Sequence, residues 1–246
     1  MSTSTHTGKL LGVGVGPGDP ELMTLKAARA LAEADVVAHF AKAGNISHSR
    51  KIAAAHVRPG VIELPLLYPV TTEQPKCSSG YRNAICEFYD EAAAKIAAHL
   101  EAGCIVAVIC EGDPMFYGSY MHLHTRLAPR FPTEIIAGVT GMSGCWSAAG
   151  MPIAQGDDVF TVLPATLPEG ELARRLGDAN AAVVMKVGRH LPKLRRALAA
   201  SGRLPRALYV ERGTMSDAKM VPLSAKPDDD ASYFAVVLVP GWGERP

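Results

Sequence analysis

The stretch Gly12-Val-Gly-Val-Gly-Pro-Gly-Asp-Pro20 decides the fold, because it joins an apolar strand to a helix through a glycine-rich turn. The pattern predicts the strand at Lys9–Val15 and the helix at Leu22–Glu33. Asp19 fits the N-cap position of that helix, and Pro20 fits its first position, where the missing N–H costs nothing. Such a turn either only connects the two elements or lets backbone N–H groups reach a ligand at the helix N-terminus.

The glycine spacing of this turn excludes two familiar phosphate-binding motifs. The dinucleotide fingerprint G-x-G-x-x-G would need a glycine where the chain has Pro17 or Asp19. The nucleotide P-loop needs Gly-Lys-Ser/Thr, which this turn lacks. A nucleotide-dependent oxidoreductase is therefore excluded on the spacing.

Two later loops follow the same pattern. Cys110-Glu-Gly-Asp-Pro-Met-Phe-Tyr-Gly118 follows the buried strand Cys104–Cys110 and repeats the Gly-Asp-Pro sequence. Ala137-Gly-Val-Thr-Gly-Met-Ser-Gly144 joins a strand to a helix of small residues. Asp113 and Thr140 either cap the following helices or bind a ligand. Because ligands bind at the carboxyl ends of parallel strands, the loops predict a crevice there, with acidic groups suited to ribose hydroxyls or a cation.

Composition and charge narrow the class of protein. The chain has 246 residues, of which 48% are hydrophobic and 20% charged, and a net charge of +1. These values are typical of a soluble globular protein and argue against nucleic-acid binding. No apolar run approaches the roughly 20 residues that span a bilayer, and the N-terminus lacks the features of a signal peptide. The five cysteines form no C-x-x-C pair, so we expect reduced thiols in a cytoplasmic protein, without a metal site.

The order of the elements predicts an α/β fold with two α/β domains. The first half alternates strands with helices, which predicts a mostly parallel sheet. The second half ends in strands without helices between them, which predicts a mixed sheet. These strands are expected at Ala207–Val210, Met220–Leu223 and Tyr233–Val239. Two prolines between Leu127 and Thr133 break the pattern, so we expect domains at residues 1–130 and 131–246.

Taken together, these loops resemble those of the tetrapyrrole (class III) S-adenosylmethionine methyltransferases. The motifs that carry the resemblance are Gly14–Pro20 with Leu22–Lys26, Glu111–Pro114 with Tyr117-Gly118, Gly138–Thr140, Val183–Arg189 and Val210–Thr214. The resemblance extends from about Lys9 to Val239, nearly the whole chain. Within the family, three further stretches are similar to the precorrin-2 C20-methyltransferases. They are Tyr68–Glu73, Phe88–Glu91 and Gly118–Leu127.

The resemblance implies a homodimer of two-domain subunits, with S-adenosylmethionine held in the cleft between the domains. It implies methyl transfer to C20 of precorrin-2, which gives precorrin-3A in cobalamin biosynthesis and S-adenosylhomocysteine. By match of position, it places cofactor contacts at Pro17, Glu111, Gly112, Asp113, Phe116, Thr140, Gly141, Met185 and Gly213. Backbone groups of the Gly112 and Thr140 loops would bind the methionyl part, and Met185 would pack on adenine.

Neither the resemblance nor the residues identify a catalytic base. Uroporphyrinogen-III methyltransferases carry an aspartate shortly after Ala-Asp-Val-Val, whereas here Ala34-Asp-Val-Val37 is followed by Ala38-His-Phe40. His122 and His124 lie two apart on a helix, so they point in different directions, and each is either catalytic or structural. Tyr117 and Glu111 lie nearer to the expected crevice, where they are equally suited to cofactor contacts.

The carboxylates of a tetrapyrrole substrate suit arginine side chains. The candidates are Arg50, Arg82, Arg126 and Arg189, with ordinary exposed surface as the alternative for each. The run Lys193-Leu-Arg-Arg196 is expected to be a solvated helix face. Two other functions stay open: a related methyltransferase that acts on another ring carbon or on the cobalt complex, and a tetrapyrrole carrier that has kept the fold.

Overall fold

The computed structural model describes residues 8–69 and 79–241, and these form two compact units, one within residues 1–140 and one within residues 141–246. Three features of the sequence lie outside the described residues: the N-terminal seven residues, Cys77, and the Tyr68–Glu73 stretch from Val70 onward. Among the described residues, no helix has the length and apolar character needed to cross a bilayer.

The first unit is a five-stranded sheet in the order β3-β2-β4-β1-β5, and every neighbouring pair is parallel. Its strands are β1 (Lys9–Gly14), β2 (Val36–Lys42), β3 (Ile62–Tyr68), β4 (Ile105–Cys110) and β5 (Thr133–Ile136). Its helices are α1 (Leu25–Glu33), α2 (His48–Ile52), α3 (Ser79–Glu101) and α4 (Tyr120–Leu127). Helices α3 and α4 cover one face, and α1 and α2 cover the other. Because both faces are covered, the central strand β4 is a continuous apolar run.

The second unit is a mixed sheet in the order β6-β7-β10-β8-β9. Its strands are β6 (Phe160–Pro164), β7 (Ala181–Met185), β8 (Leu208–Glu211), β9 (Lys219–Pro222) and β10 (Ala235–Val239). Its helices are α5 (Gly141–Ala148), α6 (Glu169–Asp178) and α7 (Leu191–Ala200). Strands β6 and β7 are parallel, and β10 runs antiparallel to both β7 and β8. The predicted fold class, α/β with one parallel and one mixed sheet, is confirmed.

The start of the first helix differs from the prediction. Asp19 caps only a single 3-10 turn at Pro20–Leu22, where its carboxylate accepts the Glu21 N–H at 2.9 Å. Met23 is extended and interrupts the helical backbone. The helix α1 then begins after Thr24, whose hydroxyl accepts the Ala27 N–H at 3.1 Å. The assignment of Asp19 as the cap of the main helix was therefore wrong.

Strand β5 bears on the expected domain boundary. A division at residues 130/131 would place this strand in the second domain. In the structure, however, β5 pairs with β1, with Leu10 opposite Thr133 and Val13 opposite Ile136. The first compact unit consequently extends to Thr140, beyond the two prolines that interrupt the sequence pattern.

Candidate active site

The three glycine-rich loops meet at one edge of the first sheet. They follow β1, β4 and β5, which are adjacent and parallel, so their carboxyl ends lie side by side. The loops after β1 and β4 are joined directly, because the Gly112 N–H donates to the Gly16 carbonyl at 2.7 Å. In return, the Gly16 N–H donates to the Gly112 carbonyl at 3.4 Å. The edge of the sheet is thus built from main chain.

The same loops approach so closely that a side chain would not fit. A Cβ on Gly138 would lie 2.1 Å from the Gly112 carbonyl oxygen, and a Cβ on Gly14 would lie 2.6 Å from it. These contacts are to backbone atoms, which cannot move aside as a flexible side chain would. Glycine at positions 14 and 138 is therefore a packing requirement.

Asp113 ties the second loop to the third. Its Oδ2 accepts the Gly138 N–H at 3.1 Å, and its Oδ1 accepts the Met115 N–H at 2.8 Å. Helix α4 begins only at Tyr120, so Asp113 is not its N-cap. The half-buried carboxylate keeps further lone pairs beyond these two bonds, which leaves it able to accept from a ligand.

The backbone of Gly112 has less freedom to bind a ligand than the resemblance implied. Its N–H is already used in the bond to Gly16, so that donor is not available to a ligand without breaking the loop junction. Gly112 also has a φ of 65°, a conformation that favours glycine. In the structure, Gly112 shapes the loop. Its direct contact with the cofactor stays a prediction.

Glu111 lies on the face of the sheet that carries α2. Its carboxylate accepts a hydrogen bond from the Ser49 N–H at the start of that helix. Desolvation raises the pKa of Glu111, and the bond from Ser49 opposes this shift only in part. The side chain nevertheless keeps contact with solvent, so it borders open space at the carboxyl edge.

Two further expected contacts of the first unit, Pro17 and Phe116, are half-buried. Phe116 meets the exposed Tyr117 edge to face at a centroid distance of 4.9 Å. Thr140 ends the third loop, and Gly141 begins α5. A Cβ on Gly141 would have no heavy atom within 4 Å, so the start of α5 borders open space.

The second unit places Met185 and Gly213 at one edge of its own sheet. Met185 ends β7, and Gly213 follows β8. Because both strands run antiparallel to β10, they are parallel to each other and end at the same edge. Met185 packs on the face covered by α5, in a cluster with Cys145 and Val210.

Gly213 packs tightly on helix α5. A Cβ there would lie 2.9 Å from the Cys145 sulfur, and the Gly213 N–H donates to that same sulfur. Burial raises the pKa of the Cys145 thiol to about 11, so the sulfur is a neutral packing group. Gly213 and Met185 therefore share both an edge and a face of the second sheet.

Strained backbone conformations occur beside three of the expected cofactor contacts. Among the described residues, the non-glycine residues with positive φ are Tyr117 at 55°, Lys186 at 57° and Arg212 at 52°. Each is the direct neighbour of an expected cofactor contact: Phe116, Met185 and Gly213 respectively. Residues in this conformation cost of order 1 kcal/mol or more and cluster at functional sites. The strain is an independent reason to regard these turns as functional.

The two candidate histidines have structural partners. His122 stacks on Tyr89 at 4.3 Å, and burial, followed by the nearby Arg126, lowers its pKa. His124 Nδ1 lies 3.3 Å from the hydroxyl of Tyr120, whose ring fills the space above Gly12. The structure thus gives each ring a packing or hydrogen-bonding role.

Two of the candidate arginines are paired within the first unit. Arg50 binds Glu63 at 2.7 Å, and Arg126 binds Asp90 at 2.7 Å. Arg82 and Arg189 are exposed. A role for any of the four in binding substrate carboxylates stays a prediction.

The run Lys193–Arg196 is more than a solvated face. Lys193 donates to the Leu167 carbonyl at 2.6 Å. Arg195 donates to the carbonyls of Leu223, Lys226 and Asp228, and it is paired with Asp229. These bonds fasten α7 to the loops beside it, so the expectation of a purely solvated face was wrong for these two side chains.

The sequence did not predict a functional role for two polar atoms that are buried in the structure. The His39 Nδ1 and the Thr214 Oγ1 are buried and have no hydrogen-bond partner among the described residues. Thr214 belongs to the Val210–Thr214 motif, and that motif was the one available signal. His39 lies near the position where the uroporphyrinogen-III methyltransferases carry an aspartate. The sequence pattern could not show that its Nδ1 lacks a partner, because that depends on which residues surround the ring in the fold.

Comparison with known sequences assigns the chain to a family and to near relatives. The family of Tetrapyrrole (Corrin/Porphyrin) Methylases matches residues 9–226. The Precorrin-2 C(20)-methyltransferase of Sinorhizobium sp is 62% identical over 239 residues, which cover 97% of this chain and 98% of that protein. The Cobalt-precorrin-2 C(20)-methyltransferase of Salmonella typhimurium is 29% identical and covers 94% of this chain and 96% of that protein.

A third relative is longer than this chain. The cobalamin biosynthesis protein CobIJ of Mycobacterium tuberculosis is 50% identical over 238 residues, 97% of this chain. The match covers 47% of CobIJ, so this chain spans about half of its length. CobIJ therefore contains a region similar to the whole of this chain.

Solved structures share the fold over nearly the full chain. The cobalt precorrin-4 methyltransferase CbiF has a TM-score of 0.70 at 21% identity and covers 98% of this chain and 97% of its own. A uroporphyrin-III C-methyl transferase from Thermus thermophilus, complexed with S-adenyl homocysteine, has a TM-score of 0.64 at 24% identity. That match covers 94% of this chain and 96% of the other. The family match, the identities and the shared fold agree, and the chain belongs to the tetrapyrrole methylases.

Proposed function

We propose that this protein is the methyltransferase that moves a methyl group from S-adenosylmethionine to C20 of precorrin-2, giving precorrin-3A in cobalamin biosynthesis. The observation that carries the proposal is the 62% identity to a precorrin-2 C(20)-methyltransferase over 97% of the chain. At that coverage, the similarity extends over both units of the chain. Methylation at another ring position would have to arise from differences outside the cofactor loops.

The residues of each unit fit S-adenosylmethionine. In the first unit, the half-buried Asp113 carboxylate can accept from ribose hydroxyls or an ammonium group. In the second unit, Met185 offers a polarizable apolar surface that suits a purine ring. We propose that both sets of residues contact this cofactor, together with Pro17, Glu111, Gly112, Phe116, Thr140, Gly141 and Gly213.

When bound, S-adenosylmethionine supplies a methyl group that its sulfonium has already activated. The carbon nucleophile would be C20 of the electron-rich substrate, which would take the methyl group from sulfur and release its proton to solvent, leaving S-adenosylhomocysteine. The chain has little bond chemistry to perform. Its contribution is to hold the reacting atoms in line, and the rigid junction of Gly16, Gly112 and Gly138 suits that task.

We propose that the substrate is metal-free precorrin-2. The relative that acts on precorrin-2 shares 62% of its residues with this chain, whereas the relative named for cobalt-precorrin-2 shares 29%. The cobalt complex is the alternative. We further propose that the protein is a homodimer, which rests on the family resemblance, and that it works in the cytoplasm, which rests on the cysteine pattern of the sequence. Light scattering and cell fractionation test these two proposals.

Anaerobic incubation with methyl-labelled S-adenosylmethionine and either precorrin-2 or its cobalt complex tests the proposal. We expect one added methyl by mass spectrometry, label at C20 by NMR, and a preference for precorrin-2. Label at another carbon would instead identify a related methyltransferase. Tight tetrapyrrole binding without methyl transfer to either substrate would indicate a carrier and overturn the proposal.

A further inference from the structure

Thr214 has a hydroxyl that the protein itself does not use. Its Oγ1 is buried and has no hydrogen-bond partner among residues 8–69 and 79–241. A hydroxyl offers one donor and two acceptor positions, and burial of all three unpaired is unfavourable. Such a group in a native protein calls for a partner that is absent from the chain itself.

The turn that carries Thr214 is held in place from both sides. The Met215 N–H donates to the Arg212 carbonyl at 2.8 Å and closes the turn. The Arg212 N–H donates to the Phe234 carbonyl at 3.0 Å, and Gly213 is packed against Cys145. The backbone therefore cannot carry the hydroxyl to another partner. Thr214 as a residue is only half-buried, so the turn has an open side from which a ligand can approach it.

The position of this turn points to the partner. Thr214 follows the end of β8, and Met185 ends β7 at the same edge of the sheet. One strand, β10, lies between β7 and β8, so their ends are about 10 Å apart at the usual strand spacing. Arg212 and Lys186, which follow the two strand ends, have a left-handed backbone conformation. A polar group and a soft apolar group across such a gap suit a nucleoside, which has a flat base and several hydrogen-bonding atoms.

We propose that Thr214 is a cofactor-binding residue whose hydroxyl hydrogen-bonds to the adenosine part of S-adenosylmethionine. The inference rests on the proposed function and extends it to a residue outside the set of expected contacts. The buried hydroxyl finds its partner when the nucleoside binds. The ligand-free protein carries it unsatisfied, and this gives the idea a distinctive signature.

Substitution of Thr214 by valine distinguishes the role of the hydroxyl in the ligand-free protein from its role in the ligand-bound protein. Thr214→Val keeps the branched shape and removes the hydroxyl, and Thr214→Ser keeps the hydroxyl. By calorimetry with S-adenosylhomocysteine, we expect Thr214→Val to bind about tenfold more weakly than the native protein, near the upper end for one neutral hydrogen bond. Thr214→Ser should stay within about threefold, a loss below that of the valine variant. The melting temperature of ligand-free Thr214→Val should equal or exceed the native value, because an unpaired buried hydroxyl is removed.

A structural role would produce the opposite pattern in the ligand-free protein. If ligand-free Thr214→Val melts below the native protein, the hydroxyl has a partner within the chain and the inference is wrong. Thr133→Val is the matched control, since the Thr133 hydroxyl donates to the Phe131 carbonyl at 2.9 Å. That variant should lose stability and keep its affinity for S-adenosylhomocysteine.

A second ligand locates the contact within the cofactor. Methylthioadenosine contains adenine and ribose but lacks the amino-acid part, so Thr214→Val should weaken its binding by the same factor. A loss confined to S-adenosylhomocysteine would place the hydroxyl at the methionyl part and overturn the assignment. If the native protein binds neither ligand, the proposed function fails as well. Equal affinity of the native and valine proteins would sink only the role of Thr214.

Discussion

The two compact units hold their expected cofactor contacts by different means. In the first unit the loops after β1, β4 and β5 are joined through main-chain bonds, and glycines at 14 and 138 let the backbones touch. In the second unit Met185 and Gly213 stand at strand ends on a mixed sheet, supported by packing against α5. One edge is built of backbone, and the other of side chains and tight packing.

This difference determines how visible each edge is in the sequence. A junction of backbones needs glycine at fixed spacings, so it leaves a motif of glycines and acidic residues. An edge of side chains leaves no such spacing, because methionine and cysteine also serve as ordinary core residues. We therefore expect single-atom changes to damage the first edge most and changes of polarity to damage the second.

The largest effect should come from Gly138→Ala. Its Cβ would lie 2.1 Å from the Gly112 carbonyl oxygen, so the second and third loops would have to separate. We expect a loss of about 3 kcal/mol in stability, the upper range for overpacking, and loss of measurable S-adenosylhomocysteine binding. Thermal unfolding by circular dichroism and calorimetry check the two results.

Two features of the chain sharpen this test. Gly170→Ala is the control, because a Cβ at Gly170 on helix α6 would meet no heavy atom within 4 Å, and alanine favours helix. Both tryptophans lie in residues 141–246, whereas Gly138 lies in residues 1–140. Tryptophan fluorescence therefore reports on the second unit separately from the unit that carries the substitution. An unchanged melting curve in Gly138→Ala would show that the loops are not packed as described.

Asp113→Ala should have the next largest effect. The substitution leaves the N–H groups of Gly138 and Met115 without their acceptor, which costs about 2 kcal/mol in total. Stability and cofactor affinity should fall together, since the carboxylate joins the loops and is proposed to contact the cofactor. Asp113→Asn should lie between the two proteins, because its amide keeps one acceptor oxygen. Native affinity in Asp113→Ala by calorimetry would remove this loop from the proposed site.

The first edge shows what could be predicted from the sequence. The three loops, the parallel sheet, the family and its methyl donor were all predicted and are confirmed. Gly-Asp-Pro spacings report local backbone geometry, and the glycines at 14 and 138 are required where the loops touch, so both leave a readable motif. The role of Asp19 was missed for a related reason: the N-cap pattern recurs at Thr24, and only the extended backbone at Met23 separates the two turns.

The second edge shows why the remainder could not be predicted. The contacts at Met185 and Gly213 came from the resemblance alone, and they stay a prediction. The unpaired hydroxyl of Thr214 depends on which groups other segments bring near it, which no local pattern records. The pairing of β5 with β1 is equally non-local: prolines mark a break in the chain but not the sheet to which the next strand belongs.

Met185→Asp tests the second edge by changing polarity. A carboxylate at the end of β7 would enter the apolar cluster that contains Cys145 and Val210, and its desolvation would oppose the packing of a purine. We expect S-adenosylhomocysteine to bind at least tenfold more weakly. Met185→Leu keeps an apolar side chain of similar size and should bind within about threefold of the native protein. Normal affinity in Met185→Asp would place this residue outside the site.

The smallest predicted effect is a dependence of stability on pH that belongs to the first unit. Burial lowers the pKa of His39, opposed in part by Glu63, whose carboxylate lies 3.5 Å from its Nε2, and Arg50 adds to the lowering. Burial likewise lowers the pKa of His122 on the other face of the sheet. The unfolded chain therefore takes up more protons than the folded chain as the pH falls through the ordinary histidine range near 6.5, so the free energy of unfolding falls with it.

Denaturant unfolding at pH 7.5 and pH 5.5 measures this dependence. His39→Gln removes one of the titrating groups and should reduce the loss of stability between the two pH values, and His122→Gln should reduce it separately. If the effect arises in the first unit, far-ultraviolet circular dichroism will register the loss at pH 5.5 more strongly than tryptophan fluorescence, which reports on residues 141–246. An equal loss in His39→Gln and in the native protein would mean that the buried ring does not titrate in this range. Carboxylates such as Glu134 could not explain a loss of stability in this range, because two lysines hold the pKa of Glu134 at about 2, far below the window tested. Because such groups cannot respond between pH 7.5 and 5.5, the two histidine variants decide the matter.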